Sequence, residues 1–237
     1  MRLKIRLMDA TRRALQSTPT LGSKFLNLVD EQDAAIISWN WDVLIEATCE
    51  SIDIAYTYDN RNTSALQVFK PHGSLNLVEV TQEEFDDAAS SRNVHSLLTL
   101  MAYNGRLVLQ ARNALDAANR VVFPFASHNP VFVEPTYDKR FESFRIEKQW
   151  EGAENVLTNA NEVFIIGYSL PPSDVRSREL LRRTIAAKIP DSRGKCKRVV
   201  IVDINAEQLG NQNRDVFGQE LEIIQNPWEK SLDKLIA

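Results

Sequence analysis

Four polar segments of the sequence carry residue types that can bind or transform a ligand. They are "WNWD" with Asn40 and Asp42, "KPHGSL" with His72 and Gly73, "GYSLPPSD" with Gly167 and Ser169, and "VDIN" with Asp203 and Asn205. An imidazole can exchange a proton near pH 7. Carboxamides and carboxylates can orient polar groups, and a glycine lets a ligand approach the backbone closely. These types suit a polar ligand site with one proton-transferring group.

The first two segments also have structural interpretations. An Asn at a strand end often forms a turn, and Asp42 before "VLIEATCE" is a natural helix N-cap. His72 can be a hydrogen-bonded loop residue. His95 and His128 share no metal-ligand spacing with it, and no Ser-His-Asp set follows from spacing alone. Taken singly, these residues leave the functional and structural interpretations open.

The last two segments have structural interpretations as well. Gly167 can serve close packing between a helix and a sheet, and "PPSD" can be a stiff turn followed by a cap. Asp203 and Asn205 can cap a helix that starts near Ala206. Only the combination of the four segments distinguishes a ligand-binding site from residues that merely form turns or cap helices.

The elements that must position these residues are short apolar strands that end in polar loops. We predict strands in "AAIISWNWD" (34–42), "ALQVFK" (65–70), "NEVFIIGYSLPPSD" (161–174), "KRVVIVDIN" (197–205) and "LEIIQNPW" (221–228). Apolar runs without polar alternation indicate strands that are covered on both faces, as in parallel sheets. Ligands bind at the carboxyl ends of such strands, which is where the polar residues fall.

Helical patterns alternate with these strands at 144–160, 173–189 and 205–217, with Ser173 or Asp174 as the N-cap of the second. This alternation predicts a Rossmann-like α/β fold with a doubly wound, mainly parallel sheet. We predict one domain over residues 1–237. An acidic stretch and a long apolar pattern between about 78 and 120 predict a helical insertion, which is either a lid or a docking surface.

Composition excludes several classes of protein. The 237 residues are 43% hydrophobic and 25% charged, which is typical of a globular protein with a substantial core. A net charge of −4 argues against nucleic-acid binding by bulk electrostatics. No apolar run reaches the roughly 18 residues of a membrane span. Cys49 and Cys196 form no CxxC pair, which favours buried thiols, a reducing cytoplasmic compartment and no cysteine zinc site.

In the order "WNWDVLIE", "KPHGSL", "FIIGYSLPPSD", "VDIN", the sequence resembles the sirtuin-like (silent information regulator) superfamily. It is most similar to the divergent bacterial branch found in defence-associated, NAD-consuming proteins. That branch has the patterns N-[YF]-D-x-L-[IL]-E, HGS and GYSLPPxD, followed by an acidic-Asn strand end. The resemblance covers most of residues 36–205 and implies NAD+ as substrate, a small nucleotide, bound at the carboxyl edge of the sheet.

The resemblance also assigns roles to residues of this chain. It implies that His72 is the catalytic residue and that Asn40 and Asp42 lie beside the nicotinamide ribose and carboxamide. The chemistry of the cleavage adds that the Asn40 carboxamide can orient a water molecule on the face opposite the leaving group. The resemblance further implies that Gly167 and Ser169 contact the ribose and phosphates and that Asn205 contacts the adenosine side, and we also expect Asp203 to bind the cofactor.

Two departures from the family pattern limit the expected activity. Zinc-binding sirtuin deacylases carry two CxxC pairs after the histidine, and this chain has none, so we expect no zinc and favour NAD+ hydrolysis over protein deacylation. Family members also begin with a glycine-rich loop that holds the pyrophosphate. Here the first glycine is Gly22, which follows no apolar strand. A NAD+ hydrolase and a truncated or degenerate module that binds a nucleotide or a partner protein therefore both stay open, as does homo-oligomer formation.

Overall fold

The computed structural model describes residues 19–58, 64–90, 97–103, 106–111, 130–132, 146–186, 198–217, 221–227 and 230–231. The chain divides into two compact units. Unit 1 comprises Met1–Glu134 and Lys139–Gly152, and unit 2 comprises Pro135–Asp138 and Ala153–Ala237.

Unit 1 contains a small parallel sheet with one helix before its first strand and one helix after it. Its elements are α1 (Pro19–Glu31), β1 (Ile36–Ile37), α2 (Leu44–Ser51), β2 (Tyr56–Thr57) and β3 (Leu66–Phe69). The strand order is β1-β3-β2, and both pairings are parallel. The predicted strands at 34–42 and 65–70 are therefore confirmed, although β1 is only two residues long. Gly22 lies inside α1 and is not part of a loop.

A second sheet in unit 1 is antiparallel and has the order β5-β6-β4-β7. Its strands are β4 (Gly73–Thr81), β5 (Leu97–Tyr103), β6 (Arg106–Ala111) and β7 (Pro130–Phe132), with α3 (Gln82–Ser90) after β4. A reciprocal capping box starts α3, because Glu84 N–H donates to Thr81 Oγ1 at 3.1 Å and Thr81 N–H donates to Glu84 Oε2 at 2.7 Å.

The prediction of a helical insertion at about 78–120 is wrong for most of the residues that the structure describes there. Only α3 is helical, whereas 97–103 and 106–111 form a hairpin whose last pair is Tyr103↔Arg106. Leu, Ala and Met favour helices as single residues, but pairing along β4 decides the structure. The missed signal is the dipeptide Asn104-Gly105, which is typical of hairpin turns. Residues 91–96, 104–105 and 112–120 lie outside the described part of the chain.

Unit 2 is a parallel sheet of order β10-β9-β8 with intervening helices. After α4 (Glu147–Asn159), which begins in unit 1, come β8 (Glu162–Ile166), α5 (Val175–Leu181), a π-helical turn (Arg182–Ala186), β9 (Arg198–Val202), α6 (Ala206–Gln212), α7 (Arg214–Phe217) and β10 (Leu221–Ile224). The strands predicted within 161–174, 197–205 and 221–228 and the helical patterns around them are confirmed over the residues that the structure describes, whereas 144–145, 187–189, 197 and 228 lie outside them. Val200, Val202 and Ile224 are buried with Phe164 and Ile166 packed against them.

Parallel strands alternating with helices confirm the predicted α/β class. Among the described residues, no helix is long and apolar enough to cross a membrane. The same residues contain no group of three or more His, Cys, Asp or Glu side chains arranged to hold a metal ion.

Candidate functional site

In unit 1, two of the sequence-predicted segments lie in direct contact. We call Trp39–Asp42 the amide loop and Lys70–Gly73 the histidine turn. The backbone N–H of Ser38 donates to Phe69 O at 2.8 Å, just before both segments, and Leu75 N–H donates to Trp41 O at 2.8 Å, just after the turn. The parallel pairing of β1 with β3 sends both strand ends to the same edge. The structure thus brings the segments of Asn40, Asp42 and His72 together across thirty residues of sequence.

The imidazole of His72 lies within an aromatic cluster. His72 is only 4% exposed, and its ring centroid is 5.3 Å from that of Trp39 and 6.0 Å from that of Trp150. The two indoles are 5.8 Å apart, so each ring contacts the other two. His72 is therefore a buried residue and not a solvated loop histidine. Gly73 adopts φ +83°, a left-handed conformation that favours glycine at this turn.

The two polar residues of the amide loop differ in their surroundings. The Asn40 side chain is exposed, and its backbone N–H donates to Ser38 Oγ at 3.3 Å. Asp42 Oδ1 accepts the Leu44 N–H at 3.0 Å immediately before α2. Val43 holds the N-cap position of α2 and makes no side-chain capping hydrogen bond, so the prediction that Asp42 is the N-cap is wrong. The Asp42 carboxylate instead bonds the backbone two residues on, as in an Asx turn that leads into the helix.

Beneath the amide loop and the histidine turn lies a buried polar network that the sequence analysis missed. Lys70 and Glu46 are both fully buried, and Lys70 Nζ lies 3.1 Å from Glu46 Oε1. The same ammonium donates to the backbone oxygen of Asp42. Tyr58 Oη donates to Glu46 Oε1 at 2.5 Å, and Asn76 Nδ2 donates to Tyr58 Oη at 3.1 Å. Burial, and then the Glu46 carboxylate, raise the pKa of Tyr58 well above its usual value, so the phenol keeps its donor proton.

Gln149 completes this network from helix α4. Its Oε1 accepts the Lys70 N–H at 2.9 Å, and its Nε2 donates to Tyr58 O at 3.1 Å. The sequence signal was the position of the two charges among buried neighbours. Glu46 falls between the apolar residues of "VLIEATCE", and Lys70 directly follows the apolar β3, so a mutual ion pair is the arrangement that burial permits.

In unit 2, Gly167 and Asp203 lie side by side at the carboxyl ends of neighbouring parallel strands. Gly167 N–H donates to Val202 O at 3.1 Å, which places Gly167 beside the start of the loop that follows β9. Gly167 adopts φ +60°, and a Cβ built on it would meet no atom of the described residues within 4 Å. The close-packing interpretation of Gly167 is therefore wrong, and the open space above it suits a ligand approaching the backbone.

The "GYSLPPSD" loop is held by Asp174. Its Oδ1 accepts the Ser177 N–H at 3.4 Å at the start of α5, which confirms the predicted cap, and its Oδ2 accepts from Tyr168 Oη at 2.7 Å. Burial, and then the Asp174 carboxylate, raise the pKa of Tyr168. Leu170 is 1% exposed at φ +47°, so its side chain anchors a strained backbone. Ser169 stays exposed.

The loop after β9 turns sharply into α6. Asp203 Oδ1 accepts the Asn205 N–H at 2.7 Å, whereas the Asn205 side chain, at the N-cap position, makes no capping hydrogen bond. Asn205 is exposed and lines an open depression with five other polar side chains: Glu207, Gln208, Asn211, Gln212 and Gln225. The structure thus gathers Gly167, Asp203 and Asn205 at one edge of the unit 2 sheet.

Comparisons with known proteins found likenesses among solved structures. The sequence matches no protein-family model and no curated protein. A similar solved structure is the crystal structure of Sir2 in complex with the inhibitor EX-527, 2'-O-acetyl-ADP-ribose and deacetylated p53-peptide. The likeness has a TM-score of 0.40 and 15% sequence identity, and covers 94% of this chain and 72% of that chain. This likeness assigns no roles to residues of this chain.

Proposed function

We propose that this chain binds NAD+ and cleaves the bond between its nicotinamide and ribose, with His72 as the catalytic residue. The observation that carries the proposal is the contact between the amide loop and the histidine turn. The sequence assigns both segments to the same cleavage reaction. In the structure they are held together by the Leu75–Trp41 hydrogen bond and by the packing of Trp39 on His72.

The chemistry requires a shielded imidazole and an oriented water. When the glycosidic bond breaks, its electron pair goes to the nicotinamide nitrogen, and positive charge develops on the ribose. The enzyme must hold the sugar, exclude bulk water and admit one nucleophile. A neutral imidazole can accept a proton from a ribose hydroxyl. Two indole rings against His72 fit the exclusion of bulk water, and the exposed Asn40 carboxamide fits the orientation of one water molecule.

The edge of the unit 2 sheet supports nucleotide binding. A positive-φ glycine with open space above it admits a phosphate or a sugar to the backbone. A carboxylate at the end of the next strand is the group that accepts hydrogen bonds from ribose hydroxyls in dinucleotide sites, and here that residue is Asp203. We propose that Gly167, Ser169, Asp203 and Asn205 bind the ribose, phosphate and adenosine parts of NAD+. Asp42 is proposed beside the nicotinamide ribose, in addition to its hydrogen bond from the Leu44 N–H.

The experiment is to incubate the purified chain with NAD+ and to follow nicotinamide release by chromatography. We expect release from the wild type and a loss of about 100-fold or more in His72→Gln, because an amide can fill the site but cannot serve as a base. Lys148→Gln is the control, since Lys148 is an exposed residue of unit 1 whose ammonium pairs with Glu151.

Calorimetric titration with NAD+ and ADP-ribose separates the remaining outcomes. Binding without nicotinamide release would contradict the hydrolase and favour the non-catalytic nucleotide-binding module. Neither binding nor release would contradict both forms of the proposal. Release that His72→Gln leaves unchanged would remove His72 from the mechanism.

A further inference from the structure

We propose that the buried pair Lys70–Glu46 is a positioning device that sets the amide loop against the histidine turn. This inference rests on the proposed function for what the two segments do. Its structural content, that one ammonium fixes the relative placement of two backbone segments, stands on the contacts of unit 1 alone.

Lys70 belongs to one segment by sequence and to the other by its hydrogen bond. Only Pro71 separates it from His72, and Gly73 N–H closes the turn by donating to Lys70 O at 2.9 Å. Its ammonium, which is fully buried, donates to the backbone oxygen of Asp42 in the amide loop. A movement of one segment against the other would therefore break a hydrogen bond from a buried charge.

Glu46 supplies the counter-charge that allows Lys70 to be buried. A buried ammonium without a partner carries a large desolvation penalty, which an opposite charge at hydrogen-bond distance offsets. Glu46 Oε1 also accepts from Tyr58 Oη, so the carboxylate is fixed from a second side. Gln149 holds the Lys70 N–H and is followed by Trp150, which packs on His72. The network is thus connected to the imidazole twice, through the turn that contains Lys70 and through Gln149 and the adjacent Trp150.

Stability alone does not explain this pair. Two well-packed apolar side chains of similar volume generally stabilise a core as well as a buried ion pair, or better. What an apolar pair cannot do is bind the Asp42 carbonyl. The retained charge therefore points to placement of the backbone, with Lys70 and Glu46 acting through Asp42 and His72 and not on the reacting atoms.

The test compares the double variant Glu46→Gln/Lys70→Met with the matched control Glu151→Gln/Lys148→Met. The control removes a Lys–Glu pair from the same unit whose side chains are 63% and 51% exposed. Amide hydrogen exchange is measured by NMR on the full chain. In the double variant, the backbone N–H groups of Ser38 and Leu75, whose hydrogen bonds flank the two segments, should exchange at least about tenfold faster. The exchange rates of amides in the β4–β6 ladder should change by less than about threefold. The control variant should leave both sets of exchange rates unchanged.

Kinetics supply the second readout. If the pair positions the catalytic groups, kcat for nicotinamide release should fall about tenfold while KM stays within about threefold. If the wild type releases no nicotinamide, the proposed function fails, and the exchange pattern still decides whether the pair positions the segments.

Three results would overturn the inference. The first is unchanged exchange at Ser38 and Leu75, which would make the pair a spectator. The second is equal acceleration of those amides and of the β4–β6 ladder, which would make it a general stabiliser of unit 1. The third is a KM change without a kcat change in an active enzyme. Where the double variant does not fold, Glu46→Leu/Lys70→Met gives the same comparison, because it also removes the bond to the Asp42 carbonyl but leaves no buried charge unpaired. The Tyr58 hydroxyl keeps Asn76 Oδ1 as an acceptor.

Discussion

At the scale of single residues, buried charges and their hydrogen-bond partners set the properties of neighbouring groups. Glu46 is fully buried and raises the pKa of Tyr58. It also affects the pKa of Cys49, which lies three residues further along α2. Burial first, and then Glu46 and nearby carboxylates, raise the pKa of the Cys49 thiol from 9.0 to about 12. The thiol is therefore protonated in the folded chain at neutral pH and serves as a packing group, as predicted.

This pKa shift gives a pH-dependent prediction for stability. Between pH 9 and pH 12 the folded chain keeps the Cys49 proton, whereas the unfolded chain loses it. The contribution of this thiol to stability is thus complete below pH 9 and is lost as the pH rises toward 12, by up to about 1.4 kcal/mol per pH unit. Urea unfolding below pH 9 and at about pH 11 should show a smaller loss in Cys49→Ala than in the wild type. Equal losses would contradict the shift.

Residue types were easier to predict than the residues that support them. Histidine, asparagine and aspartate at strand ends are visible in the sequence, because their chemistry and their positions agree. Lys70 and Glu46 were missed, although each stands beside apolar residues, because that pattern indicates a buried charge without identifying its partner. The two residues are 24 positions apart in sequence, and only the placed strand and helix bring them together.

At the scale of elements, the sequence predicted the parallel strands and failed on the antiparallel sheet. β8, β9 and β10 are short apolar runs with polar ends, so one local pattern gives both their type and their bounds. β5 and β6 are rich in Leu, Ala and Met, and their strand structure comes from pairing with each other and with β4. Pairing of this kind depends on residues distant in sequence, and single-residue propensities do not report it.

Two helical glycines should respond with opposite signs to substitution by alanine. A Cβ on Gly152 in α4 would lie 2.1 Å from the Phe69 ring, so Gly152→Ala should destabilise the chain by about 1–3 kcal/mol through overpacking. A Cβ on Gly22 in α1 would make an ordinary 3.4 Å contact with Thr48. Gly22→Ala should stabilise by up to about 1 kcal/mol, because alanine favours the helix.

Urea unfolding of both variants measures these changes, and Phe69→Leu tests their cause. The double variant Gly152→Ala/Phe69→Leu should lose less free energy of unfolding than the two single variants lose together. Removing the ring opens room for the methyl group, so the second substitution costs less when the first is present. Additive costs would show that the ring of Phe69 does not limit residue 152.

At the scale of the whole molecule, the two compact units each carry part of the proposed chemistry. Unit 1 contains His72, Asn40 and Asp42, and unit 2 contains the strand-end residues Gly167 and Asp203. Substitutions in unit 2 should therefore act on nucleotide affinity, and substitution of His72 should act on the cleavage step. Thermodynamic linkage can separate the two effects without an activity measurement.

We expect NAD+ or ADP-ribose, at about 100 times its measured Kd, to raise the free energy of unfolding by about 2.7 kcal/mol, provided that it binds only the folded chain. His72→Gln should keep this increase, because His72 is proposed to act on the bond and not to hold the nucleotide.

Gly167→Ala should lose most of the increase in unfolding free energy that the nucleotide gives. A methyl group at φ +60° strains the backbone by about 1–2 kcal/mol and occupies the space left open for the ligand. Denaturant titrations with and without nucleotide measure the increase in the wild type and in both variants. An increase that survives in Gly167→Ala would place the nucleotide elsewhere, whereas one that is lost in His72→Gln would make His72 a binding residue.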